Sequence, residues 1–257
     1  MIARLWRRRS LALTLTKRQY ELRYRQSVIG LLWAVAAPLA TLGVATLLFD
    51  RVLGVDTGGA PYPLFALSAL VPWGFFASSL TFGVQSITQS GGLVTRFAFP
   101  RAVLPLSMIG TAFIDLLISC GLFVVFLILS GTGMPSSALW VPLLLIVEIV
   151  LVVSLVLLIS ALNVFARDVK LFVPIGVQLM LFVTPVMYSL RSVPESLRPW
   201  FKLNPMAGLV ESFRQVLVYG SAPDLSLLLP TILITTVLFG FAHWYFGATE
   251  PRFADVI

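Results

Sequence analysis

Hydrophobic residues in this chain neither alternate nor form narrow stripes. They come in long runs separated by short polar breaks. Six runs are long enough to carry a helix across about 30 Å of hydrocarbon at about 1.5 Å per residue. They predict spans at roughly 28–49, 62–82, 103–129, 138–166, 171–190 and 227–248. Every run contains proline: Pro38, Pro72, Pro105, Pro142, Pro174 with Pro185, and Pro230. Membrane helices tolerate proline because neighbours re-satisfy the freed carbonyls. The first span is expected to be uncleaved. Ala34-Val35-Ala36 fits a small-x-small cleavage pattern, but the apolar run continues to Phe49.

The polar remainder predicts two further elements. Residues 10–26 read as an amphipathic helix lying in the membrane interface. On a helical wheel Leu11, Leu15 and Leu22 fall within about 40° of each other, with Arg18 and Arg25 alongside. Residues 191–226 place Pro194, Pro199, Pro205 and Pro223 around an apolar piece, 206–218, that is too short to span. This predicts re-entrant outer helices between spans five and six, with Glu211 and Arg214 on one helix face. The expectation is an all-α integral membrane protein. It divides into a cytoplasmic interfacial segment, 1–27, and a single transmembrane domain, 28–257.

Composition excludes a soluble alternative. Of 257 residues 58% are hydrophobic and 11% charged, against about 25% charged in a soluble domain. Mean hydropathy is +0.97. The net charge of +7 sits entirely in residues 1–27, where eight basic side chains face one acid, Glu21. A basic segment beside a membrane fits the anionic cytoplasmic leaflet and gives no reason to invoke nucleic acid. With the N-terminus inside, thirteen Lys and Arg fall on inner segments and five on outer ones, which places both termini in the cytoplasm.

Catalytic chemistry has little to work with. The three lysines, Lys17, Lys170 and Lys202, none of them preceded by glycine, exclude a Walker phosphate loop within this chain. One histidine, His243, and one cysteine, Cys120, offer no metal-binding cluster. No catalytic residue is therefore assigned, and no metal or cofactor is expected in the chain itself.

Three features remain. Asp115 and Glu148 lie within apolar spans, with no Lys or Arg in a span to pair with them. Intramembrane acids either form proton paths or hold helices together. Tyr62, Phe65, Trp73 and Phe76 share about 80° of a helical wheel in the second span. They form either a sliding surface for sugar rings or an interhelical packing face. The inner loop 83–102 breaks at Ser90-Gly91-Gly92 and carries Arg96, Phe97, Phe99, Pro100 and Arg101. That piece suits a knob docking into another protein, or an interfacial anchor. The residues alone leave open an ATP-driven exporter subunit, a proton-coupled secondary transporter using Asp115 and Glu148, and a membrane enzyme acting on lipid-linked intermediates.

Five blocks, in order, carry a resemblance. Arg23-Tyr24-Arg25-Gln26-Ser27 leads into Gly30-Leu31-Leu32-Trp33 and Pro38-Leu39. Pro61-Tyr62-Pro63-Leu64-Phe65 runs through to Leu70-Val71-Pro72-Trp73. The third block is 97–105, the fourth Asn163-Val164-Phe165-Ala166-Arg167-Asp168-Val169, and the fifth Asn204-Pro205-Met206-Ala207 through Glu211-Ser212-Phe213-Arg214. Together they resemble the membrane permeases of ABC exporters of the type-two, polysaccharide-exporting class. The chain departs at Ala166, where that class suggests a bulkier residue. The resemblance implies a homodimer of six-helix subunits around a central channel in the bacterial inner membrane. It implies a separate pair of ATPase subunits holding ATP and Mg, and a lipid-linked polysaccharide such as O-antigen as substrate. It makes 96–101 the ATPase-coupling region, Arg167 and Asp168 part of a second inner loop, and Tyr62, Phe65, Trp73 and Phe76 candidates for the channel wall.

Overall fold

A computed structural model describes residues 9–24, 32–97 and 99–257. Arg4, Arg7, Arg8, Arg25, Gln26, Ser27, Gly30, Leu31 and Ala98 lie outside them. The α-helices among the described residues are, in order, α1 (Arg9–Tyr24), α2 (Trp33–Ala45), α3 (Tyr62–Gly83), α4 (Gly91–Arg96), α5 (Val103–Leu129), α6 (Val141–Phe165), α7 (Val169–Val183), α8 (Arg198–Lys202), α9 (Pro205–Leu217), α10 (Leu225–Thr249) and α11 (Phe253–Val256). A π-helical stretch, Thr46–Val52, prolongs α2. Five helical stretches among them are long and apolar enough to cross a membrane: Trp33–Val52, Tyr62–Gly83, Val103–Leu129, Ser136–Phe165 and Leu225–Val256.

Helix ends follow local chemistry. Pro63 sits in the first turn of α3, where its missing N–H costs nothing. Asn204 and Asp224 cap α9 and α10 by accepting from the amides of Met206 and Ser226. Within the helices, Thr41, Thr46, Ser154 and Thr231 turn their hydroxyls back onto carbonyls four residues earlier. A hydroxyl so occupied has little left to expose to lipid.

The centre of the bundle is α3. Phe65, Ala66, Leu67, Ala69 and Phe76 on it are fully enclosed. It packs on α5, α6, α7 and α9, while α6 and α10 form the other main pair. Lipid gives no hydrophobic drive between helices, so close approach at small residues matters. Gly83 meets Val156, and Gly208 meets Thr231 and the Leu227 carbonyl. A Cβ at either glycine would lie under 2.5 Å from its neighbour. Around this centre the other spans keep broad apolar faces outward, including Leu47, Ile128, Leu129, Leu233 and Val237.

The fifth expected span is corrected. The run 171–190 does not form one helix; α7 stops at Val183, after 15 residues, or about 22 Å. Thr184 is extended, at φ −97° and ψ 132°, because the following Pro185 disfavours helical backbone in the residue before it. The chain then turns through 184–189. Its carbonyls are taken up by side chains from elsewhere. The Arg214 Nη2 donates to Pro185 O and Val186 O at 2.8 and 3.0 Å, and Tyr62 Oη donates to Met187 O at 3.1 Å. Arg214 also donates to Glu211 Oε2 at 2.8 Å and lies 3.9 Å over the Phe65 ring. Replacing Arg214 with Met leaves Glu211 and two carbonyls without this donor. A buried pair broken this way costs about 3–5 kcal/mol. The melting temperature in detergent is expected to fall steeply for Arg214→Met and less for Arg214→Lys; equal melting of all three proteins removes Arg214 from this role.

Candidate functional site

Asp115 gives the clearest polar site. It lies on α5, about 18 Å along the helix from Val103. The sequence offers it no partner within a span; the partner comes instead from α1. Arg23 Nη1 donates to Asp115 Oδ2 at 2.6 Å, and Tyr24 Oη donates to Oδ1 at 2.8 Å. The Arg23 guanidinium also stacks 4.1 Å over Phe82 of α3. Burial first, and then the hydrogen bond to Asp115, push the Tyr24 phenol up to about 12. Tyr24 is therefore a protonated donor throughout the physiological range.

Through this pairing α1 is seated on the bundle. It packs along the inner half of α5, where Thr16 donates to Ser107 O at 3.3 Å and fits the notch left by Gly110. Leu15 packs on the inner core cluster, whereas Leu22 stays 59% exposed.

Glu148, the other intramembrane acid, is different. It is fully buried on α6, and neither carboxyl oxygen has a hydrogen-bond partner among the described residues.

The four aromatics of α3 divide. Phe65 lies under Arg214, Tyr62 is tied to Met187, and Phe76 is wholly enclosed beside Trp73, ring centroids 5.4 Å apart. Within one chain these three are packing residues. Trp73, also buried at 6% exposure, borders a cavity of about 380 Å³ between α2, α3 and α5, together with Tyr24, Trp33, Ser78, Asp115 and Ser119.

The loop before α5 also divides. Arg96 and Phe97 point outward from the end of α4, with Phe97 62% exposed. Phe99 packs inward on Ile87, Val94, Leu104 and Phe253 and their neighbours, and Pro100 is half-buried. Arg101 is bound to the C-terminal segment: its amide donates to Glu250 Oε1 at 2.7 Å and its Nη1 to Glu250 O at 2.6 Å. Glu250 had no signal in the sequence, because its partner lies 149 residues away.

Arg167 and Asp168 occupy the exposed turn between α6 and α7. Asn163 holds that turn, donating from Nδ2 to Thr88 Oγ1 at 3.1 Å and accepting from the Lys170 amide at 3.1 Å. Arg167 and Lys170 line a cavity of about 310 Å³ with Gln85, Gln89 and the C-terminal Ile257. Ala166 is extended and exposed, so nothing there requires a bulkier side chain.

Five helical stretches long and apolar enough to cross a membrane, packed around α3, define a multi-pass membrane protein. The chain belongs to the ABC-2 type transporter family, whose pattern it matches over residues 10–218. It is 30% identical over 250 residues to an O-antigen export system permease protein RfbA of Klebsiella pneumoniae, covering 96% of this chain and 95% of that protein. A protein of the same name from Myxococcus xanthus is 29% identical over 259 residues, covering 100% and 99%. The polysialic acid transport protein KpsM of Escherichia coli is 22% identical over 79% of each chain.

The Arg23–Asp115 pair can be tested through the helix it holds. Arg23→Met leaves Asp115 without its cation and loosens α1. Trypsin is then expected to cut after Lys17 and Arg18 several-fold faster in the purified protein. Unchanged cleavage means that Thr16 and Gly110 suffice to hold the helix.

Proposed function

We propose that this chain is the membrane permease subunit of an ATP-driven exporter moving lipid-linked polysaccharide, of O-antigen type, across the bacterial inner membrane. It acts as a homodimer around a shared channel, with both termini in the cytoplasm. A separate pair of ATPase subunits holds ATP and Mg and drives the cycle. The observation that carries this reading is the end-to-end match to proteins named as O-antigen export permeases. A helix-ended inner loop presenting Arg96 and Phe97 supports the coupling role, since exposed aromatics beside arginine are favoured interface anchors. The bonds from Arg23 and Tyr24 make Asp115 a tie between α1 and α5, a structural role that needs no proton relay with Glu148.

The mechanism asks two things of this chain. Its inner loops must receive a movement from the ATPase, and its spans must let a polar polymer pass without trapping it. Phe97 serves the first as the side chain inserted into the partner. Phe99 and Arg101 serve it from inside, by tying the same loop to the bundle. For the second, aromatic faces suit sugar rings, because contacts to C–H faces are modest and easily remade. Trp73 is the candidate on α3.

Two measurements check this reading. Phe97→Ala removes the exposed anchor and spares the buried Phe99, so it is expected to lower co-purification of the ATPase at least about tenfold, the scale of an interface hot spot. The permease should still fold in detergent. Wild-type levels of co-purified ATPase and export would remove the docking role. Single cysteines in a Cys120→Ser background report the orientation. Residues 136 and 196 should react with an impermeant thiol reagent from outside the cell and residue 10 should not; the opposite pattern reverses the topology.

A further inference from the structure

We infer that the cavity between α2, α3 and α5 is a saccharide subsite, with Asp115 as its hydrogen-bond acceptor and Trp33 as its stacking face. This rests on the polysaccharide reading above. The cavity holds about 380 Å³, within the range of small-ligand sites, about 300–1,000 Å³. Its chemistry selects among ligand classes. The Arg23–Asp115 pair is neutral in sum, so the wall attracts neither cations nor anions strongly. An aliphatic chain would leave the remaining lone pairs of Asp115 and the hydroxyls of Ser78 and Ser119 unused, which is costly away from water. A pyranose ring offers what the wall lacks: a rim of hydroxyl donors and an apolar C–H face.

Asp115 has room to accept. A carboxylate has about four lone-pair directions; Arg23 and Tyr24 occupy two, and the side chain remains 21% exposed. The two existing donors also fix the carboxylate's orientation. Ser78 and Ser119 on the same wall make no side-chain hydrogen bond among the described residues, so their hydroxyls are available to a ligand. Trp33 is half-exposed and offers a ring face, while Trp73, 6% exposed and packed beside Phe76, belongs to the wall behind it. Gly74 also borders the cavity, and a Cβ built there meets nothing within 4 Å. A larger residue at 74 therefore fills the cavity without disturbing the packing behind it.

The test uses the permease purified with its ATPase, with Trp6, Trp140, Trp200 and Trp244 changed to Phe so that Trp33 and Trp73 report. Maltose, cellobiose and N,N′-diacetylchitobiose are titrated, with sorbitol as the acyclic control. The expected result is a saturable fluorescence change with at least one disaccharide, at a Kd of about millimolar, and none with sorbitol. Asp115→Asn should weaken it about tenfold, the scale of one hydrogen bond to a charged group; Gly74→Leu should abolish it. Melting curves identify any variant that fails to fold. Ser119→Val, which leaves the ion pair intact, then decides in its place and should also weaken binding. No saturable response to any of the three disaccharides, or responses that the folded variants leave unchanged, overturns the subsite. Surface polymer in a deletion strain separates this from the wider reading. If the wild-type gene restores polymer and the Asp115→Asn and Gly74→Leu genes restore it equally well, the subsite fails and the export reading stands. If deletion leaves surface polymer unchanged, the export reading itself fails.

Discussion

Backbone polar groups have no water to turn to in hydrocarbon, and a break in an apolar helix must therefore be closed by other protein groups. That constraint organises the outer half of this molecule. Pro185 ends α7 and frees the carbonyls that follow. Arg214, fully buried, reaches two of them, and Tyr62 reaches a third. The guanidinium is in turn neutralised by Glu211 and covered by Phe65. A buried cation is expensive alone, and here it has a carboxylate, two carbonyls and an aromatic face. Asn204 adds a further tie from the start of α9, donating to Thr184 Oγ1 at 3.0 Å. One break thus joins α3, α7 and α9, and the placing of Tyr62 and Phe65 follows from it.

Much of the fold was legible because lipid simplifies the sequence. Apolar runs must match a membrane's thickness, so the second, third and sixth spans were readable to within a residue or two of the helices Tyr62–Gly83, Val103–Leu129 and Leu225–Thr249. The error in the fifth came from reading Pro185 as an interior proline, like Pro174, when it ends the helix. Both sit in the same apolar run, and hydropathy does not distinguish them. The site was less legible for a different reason. Arg23 and Asp115 are 92 residues apart, and no local spacing marks such a pair. The wheel did place Tyr62, Phe65, Trp73 and Phe76 on one side of α3. It had no means of deciding whether that side met a cavity or other helices, and Arg214 and Met187 decide it for two of them.

The inner face shows how a small surface is stiffened. Helix α4 has six residues, too few to hold its own shape in water. It is braced by the C-terminus. Phe253 is buried among Ile87, Val94 and Leu104, and Ile257 lies against Gly91, where a Cβ would meet its side chain. Arg101 and Glu250 tie the following turn to the end of α10. The exposed Phe97 therefore stands on a rigid mount, although the loop that carries it is short and rich in glycine.

Rigidity there has a consequence for the rest of the bundle. Helix α5 begins two residues after Arg101, so a displacement of the loop is transmitted along a stiff rod about 40 Å long, the length of its 27 residues. That rod carries Gly110, which seats α1, and Asp115, which holds Arg23 and Tyr24. In the proposed exporter, a stroke received at Phe97 moves α5 and α1 together as one unit, because the ion pair and the glycine notch clamp them at two points. The central α3 packs on the same rod and also on α6, α7 and α9, so the movement reaches the core of the bundle through it. The surface between α5 and α3 that carries this movement is the wall that bears Asp115 on one side and Trp73 on the other.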